Sequence, residues 1–352
     1  MFSRVAKLAA GSVVAAGVFV SGAGSAAAAG PPPPKAAGGK QVTLVATGVT
    51  TPTSFATGGG SVFEGDGGAE SGGPPNGGVY VLKNGAATKL AGSPLFVAGL
   101  AWYKGALYVS GGTPTSRTTA IWTLQKWSGW NGASFAKQQV IYTAPRGFQG
   151  FNGIAFGPNG RLYVGADVGL LNGNDHGPAK TPFVYKILSL NPTGKDLKVV
   201  ASGIRQPWQM AFPAGSSSPL VSNLGQDAGK VKNPPDMILR VKQGDNYGFP
   251  GCTWAKNSKC KGFTKPFRLF PPHTDLMGMA IIGKRLYMTS FLGLKAKGQG
   301  EVVSMPLKGG PLTAVVTGFV GPTVGLGAGG GTLYVGEVGQ KTGQGLVYSV
   351  NP

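Results

Sequence analysis

The chain has 352 residues, of which 41% are hydrophobic, and its 32 Lys and Arg against 12 Asp and Glu give a formal net charge of +20. Apolar runs recur between its 62 glycines, which excludes a disordered chain. The lysines are scattered rather than gathered with aromatics into one basic segment, so no nucleic-acid function is expected, while the excess charge suits anionic surroundings such as cell-envelope polymers or acidic polysaccharide.

Residues 1–29 read as a cleaved secretory signal peptide: a basic start at Arg4 and Lys7, an apolar middle, and a run of small residues ending between Ala26 and Ala29. The apolar stretch is short and interrupted by Gly and Ser, so no membrane span is expected. Export into the extracellular space follows, and cleavage removes two positive charges, leaving +18 from +20. Residues 30–40, "GPPPPKAAGGK", read as an extended, solvated spacer.

From residue 41 to 352 one phrase returns six times: a small apolar strand, a Gly-rich turn, then Leu-Tyr-Val or its equivalent. The copies in chain order are "TSFATGGGSVFEGDGG" from Thr53, "GLAWYKGALYVSGG" from Gly99, "GIAFGPNGRLYVGAD" from Gly153, "WQMAFPAGSSSPLVSNLG" from Trp208, "GMAIIGKRLYMTSF" from Gly278 and "VGLGAGGGTLYVGEVG" from Val324. Each is followed by a further apolar alternation, respectively "GVYVLKNG", "IWTLQKW", "FVYKILSLNP", "DMILRVKQG", "EVVSMPLKG" and "GLVYSVNP". A fourth strand leading into the next copy completes the unit, and spacings of roughly 45 to 70 residues suit four-stranded blades. The expected fold is therefore all-β, a six-bladed β-propeller of four-stranded antiparallel blades. Function on such a scaffold belongs at the mouth of the central channel.

Cys252 and Cys260, in "GCTWAKNSKCKG", are expected to form a disulfide in an exported protein. The carboxylates Glu64, Asp66, Asp227 and Asp236 are placed in loops that could face the mouth. His176, beside Asp175 and after Asp167, is either a substitute base or a solvated loop residue; His273, before a strand, reads as packing. Arg205 sits in "SGIRQPWQMAF", just before a strand in which Trp208, Met210 and Phe212 alternate. A guanidinium there is either a solvated loop group or a ligand contact.

The segments "GIRQPWQMAF", "NLGQDAGKVKNPPDMILRV" and "KQGDNYGFPGC" resemble, in this order, the signature region of the soluble quinoprotein glucose/sorbosone dehydrogenase family. "GFNGIAFGPNGRLYVGAD" and "HTDLMGMAIIGKRLYMTSF" resemble that family's third- and fifth-blade phrases. The resemblance covers residues 145 to 305 and implies a PQQ cofactor on a calcium ion at the propeller mouth, oxidising a sugar hydroxyl or aldehyde by hydride transfer. It implies that Arg205 contacts the quinone with Gln206 beside it, that the carbonyls of Gly225 and Gln226 with Asp227 hold calcium, and that Lys295 binds the cofactor. As a ligand contact, Arg205 should be dispensable for folding. The family's catalytic histidine is replaced by Gln149, which cannot take a proton near neutral pH. Two functions are thus expected: a sugar dehydrogenase using Arg205, Gln149 and His176, or a catalytically inactive propeller that binds a sugar, a polysaccharide or an anionic envelope polymer.

Overall fold

The computed structural model describes residues 33–68, 76–115, 119–168, 181–226, 234–291, 293–294, 299–339 and 343–352. Apart from a single 3-10 turn at Ala37–Gly39, its regular elements are β-strands. Two strands precede the first blade: β1 (Lys35–Ala36) and β2 (Val42–Val49). Blade one holds β3 (Pro52–Gly58), β4 (Ser61–Asp66), β5 (Gly78–Lys83) and β6 (Gly85–Lys89). Blade two holds β7 (Phe96–Tyr103), β8 (Ala106–Pro114), β9 (Ala120–Trp130) and β10 (Phe135–Thr143). In blade three come β11 (Phe151–Phe156), β12 (Leu162–Ala166), β13 (Ile187–Leu190) and β14 (Lys198–Ala201). Blade four follows with β15 (Pro207–Ala211), β16 (Leu220–Asn223), β17 (Asp236–Arg240) and β18 (Arg268–Phe270). Blade five has β19 (Leu276–Ile282), β20 (Arg285–Ser290), β21 (Glu301–Pro306) and β22 (Thr313–Thr317). Blade six has β23 (Thr323–Gly329), β24 (Thr332–Glu337) and β25 (Gly345–Val350), with β2 as its outer strand.

The first strand of each blade is innermost, and these six strands close a ring: β3 touches β7, β7 touches β11, and so on through β15, β19 and β23 back to β3. Closure uses both ends of the chain. β2 pairs antiparallel with β25 over Val42↔Val350 to Val49↔Gly345, and meets β6 in parallel at Ala46↔Gly85 and Thr47↔Ala86. Blades six and one are thereby joined into one eight-stranded sheet. Within the expected spacer, Lys35 and Ala36 pair with Thr317 and Val316 at the outer edge of blade five.

The recurring phrase now has a packing cause. Its leading glycine lies where inner strands approach each other most closely: a Cβ on Gly99 would sit 2.8 Å from the Gly153 Cα, and one on Gly278 would sit 2.4 Å from the Leu326 nitrogen. In blades one and four that position is held by Ser54 and Gln209 instead. Hydroxyls then stitch neighbouring blades. Thr53 Oγ1 donates to Val97 O at 2.7 Å, Ser110 Oγ to Asn152 O at 2.6 Å, Ser222 Oγ to Met277 O at 3.0 Å and Thr289 Oγ1 to Val324 O at 2.8 Å. Asn152 Nδ2 donates to Pro207 O at 2.7 Å and completes the series between blades three and four. Each such bond satisfies a buried carbonyl on an inner strand that has no strand partner on its channel side.

Candidate functional site at the starts of the inner strands

All six inner strands run the same way round the ring, so the channel has a start end and a turn end. Arg205 lies at the start end, directly before β15, and is 2% exposed. Its Nη1 donates to Gly225 O at 2.6 Å, Leu224 O at 3.2 Å and Gln206 Oε1 at 3.1 Å. Gln206 is buried as well, and its N–H donates to Asn223 Oδ1 at 2.9 Å. Gly225 N–H donates in turn to Asp236 Oδ1 at 2.5 Å, while Asp236 Oδ2 accepts from Asp275 N at 2.7 Å. The fold therefore brings Arg205, Gln206, Gly225, Gln226 and Asp236 together as the sequence suggested, but as a hydrogen-bonded unit that fixes the loop after β16.

These partners weigh against the expectation that Arg205 is dispensable for folding. A buried guanidinium bonded to two main-chain carbonyls is part of the structure, and losing it would leave those carbonyls without donors. The same bonds bear on calcium. The resemblance gives Gly225 O to the metal, yet that oxygen already accepts from a permanent cation, and a second cation on it would meet direct repulsion. Among the described residues no group of three His, Cys, Asp or Glu is placed to hold a metal ion. Of the calcium donors the resemblance implies, Gly225 O is thus already engaged by Arg205, and Asp227 lies outside the described residues.

A roof lies over Arg205. Cys252 and Cys260 form a disulfide with Cα atoms 5.1 Å apart. The loop leading to it runs beside the end of blade three, where Tyr247 N donates to Ser202 O at 3.0 Å and Phe249 N to Gly203 O at 3.1 Å. Phe249, Cys252, Thr253 and Trp254 then line, with Arg205 and Gly225, a cavity of about 10 Å³, room for a single water at most. Nearer the axis the start end is filled by Phe96, Trp208, Leu224, Met277, Phe291, Val324 and Val338, which pack together from four blades. Among the described residues neither space has room for a tricyclic quinone.

Gln149 lies in the turn before β11, half-buried, with its Nε2 donating to Gly147 O at 3.0 Å. His176, Asp175, Asp227 and Lys295 lie outside the described residues. His273, expected to pack, is exposed in the turn before β19.

The carboxylates expected in loops lie elsewhere. Glu64 and Asp66 are on β4, Asp236 opens β17, and all three are buried. Asp66 accepts from Thr50 N at 2.5 Å, Thr51 N at 3.0 Å and Gly68 N at 2.5 Å, so it ties down the approach to β3. Glu337, closing β24, accepts from Gly321 N at 2.6 Å and repeats the device in blade six, whereas Glu301, opening β21, accepts from Leu294 N in the loop after β20. Burial raises the pKa of Asp66 and those amide bonds oppose the rise. Glu64 has no such amide donors; burial, with the Asp66 charge adding to it, pushes its carboxyl well above the ordinary value. Sequence reasoning missed this role, although the acidic residue closing the second strand of blades one and six was a visible signal.

No protein-family model and no curated protein sequence matches this chain. Solved structures do. A glucose dehydrogenase-type oxidoreductase from Thermus thermophilus superposes with a TM-score of 0.68 at 18% identity, over 89% of this chain and 100% of that one. The soluble aldose sugar dehydrogenase of Escherichia coli, in its apo form, gives 0.66 at 15% identity over 89% and 99%. A luciferin-regenerating enzyme gives 0.57 at 14% identity over 89% and 96%. The chain is thus a β-propeller with the fold of the sugar dehydrogenases. At such identities the likeness is one of fold.

Proposed function

We propose that this chain is an exported, sugar-dehydrogenase-like propeller that binds a cell-envelope glycan and does not oxidise it. The observation that carries this reading is the Arg205 guanidinium on the Leu224 and Gly225 carbonyls, which takes the place the resemblance gives to calcium. Gln149 at the family's base position supports it, because an amide neither accepts nor relays a proton near neutral pH. The envelope as partner is supported by charge. Of the nine described carboxylates, Glu64, Asp66, Asp167, Asp236, Asp275, Glu301 and Glu337 are buried. Of the remaining two, Asp196 bonds Arg161 at 2.7 Å and Lys198 at 3.2 Å. The described surface is therefore almost purely cationic and attracts an anionic polymer at low ionic strength. A signal peptide over residues 1–29 would deliver the protein to that polymer.

The second reading is a PQQ-dependent sugar dehydrogenase, favoured by the position of Arg205 beside Gly225 and Gln226 at the start end. Titration of the purified protein with PQQ and calcium, followed by a dehydrogenase assay with an artificial electron acceptor, separates the two. The binding reading expects no turnover on aldoses and salt-sensitive retention on an anionic glycan matrix. Turnover that requires both PQQ and calcium would replace it with the second.

A further inference from the structure

The turn end of the channel is built differently from the start end, and nothing above gives it a role. A bowl of about 570 Å³ opens there, lined by Trp102, Tyr103, Phe156, Phe212, Thr57 and Ser216 among others. It shares Phe55, Leu100, Ile154, Phe212 and Ala328 with a chamber of about 230 Å³ on the axis, whose lining comes from all six inner strands. Among the described residues no charged side chain lines either space. The inner strands are free edges along the channel, so their outward N–H and C=O groups supply donors and acceptors around an otherwise apolar wall.

Two polar residues line the chamber, at the places where the other four blades have the close-packed glycine. Gln209 reaches over the position of Gly153 and donates its Nε2 to Ala98 O of blade two at 3.3 Å, closing the chamber toward the start end. Ser54, on β3, also lines the chamber, but its hydroxyl is closed off in the packing over Gly65.

From these features we infer that the turn end is a binding site for a neutral saccharide, with one pyranose ring in the chamber and its neighbours in the bowl. A pyranose has an apolar C–H face, which suits aromatic walls, and a rim of hydroxyls, which suits free strand edges and the Gln209 amide. The lack of charge in the lining disfavours acidic sugars, phosphates and amines, whose desolvation nothing there would repay. The inference rests on the glycan-binding reading for its ligand class but assigns a site separate from Arg205 and from the cationic surface.

The test uses the full mature protein and the neutral probes cellotetraose, maltotetraose and chitotetraose, followed by calorimetry and by tryptophan fluorescence, since Trp102 lines the bowl. At least one probe should bind and change the emission. Ala328→Phe fills the shared passage from a half-buried position and should weaken that binding at least tenfold with an unchanged circular dichroism spectrum. Phe212→Ala removes an aromatic wall common to both spaces and should weaken it several-fold. Binding that both variants retain, or no binding of any probe, overturns the site. Retention on an anionic glycan matrix is scored in parallel: its loss alone defeats the preceding reading, and its persistence with a silent chamber defeats only this one.

Discussion

The two ends of this channel are made from the same six strands, yet among the described residues one is filled by side chains and the other holds open space. At the start end three of the strands open with large apolar residues, Phe96 in blade two, Trp208 in blade four and Met277 in blade five, which pack in one cluster. Buried carboxylates and Arg205 then lock the loops around them. Toward the turn end the strands carry alanine at one shared register, facing Phe63, Tyr108, Tyr163, Leu220 and Tyr287 from Ala56, Ala101, Ala155, Ala211 and Ala280. Small side chains there leave room that the bulky ones remove at the other end. Side-chain volume along the inner strands therefore decides where this channel holds space, and similarity of fold does not carry that over.

The sharpest test of this contrast is truncation at each end. Trp208→Ala should cost about 4 kcal/mol of unfolding free energy, since it opens a cavity in a packed cluster where Trp208 is 1% exposed. Phe212→Ala, from a half-buried position lining the bowl, should cost about 1 kcal/mol in the same urea titrations. Equal costs would break the comparison. Next in size is Arg205→Ala, which removes donors from two main-chain carbonyls and should cost about 3 kcal/mol. A variant as stable as the parent would return Arg205 to the role of a ligand contact. Cys252→Ser with Cys260→Ser frees the roof of the start end and should cost about 2 kcal/mol, read by thermal unfolding with and without reductant.

The smallest effect concerns Glu64, at the face of blade one where the ring closes. Its pKa is raised by burial, so between the ordinary value and the raised one the folded state holds a proton that the unfolded chain has lost. Its contribution to stability is complete below the ordinary value of 4.5 and is lost as pH rises through the folded one. Glu64→Gln cannot ionise and should therefore unfold at a higher temperature than the parent near about pH 9, and at a similar one near about pH 4. A variant that is less stable at both would show that Glu64 holds a partner in the fold.

Local pattern in the chain was enough to define the repeating unit of this protein. The six phrases fall on β3–β4, β7–β8, β11–β12, β15–β16, β19–β20 and β23–β24, and the six alternations after them fall on the third strands. Alternation of apolar residues and the turn glycines are local properties, so they could be read without knowing what packs against what. The pairing of Cys252 with Cys260 was legible for the same reason, eight residues apart in one loop. The rest needed the closed ring. That β2 would close it on β25 and β6 depends on two segments some three hundred residues apart in sequence. That Arg205 would be spent on the carbonyls of Leu224 and Gly225 depends on a loop nineteen and twenty residues further on. The burial of Glu64 and Asp66 between blades was likewise invisible, because a carboxylate in sequence looks the same whether water or a row of backbone amides receives it. Which end of the channel stays open follows from side chains of six strands meeting on one axis, and no segment read alone brings them there.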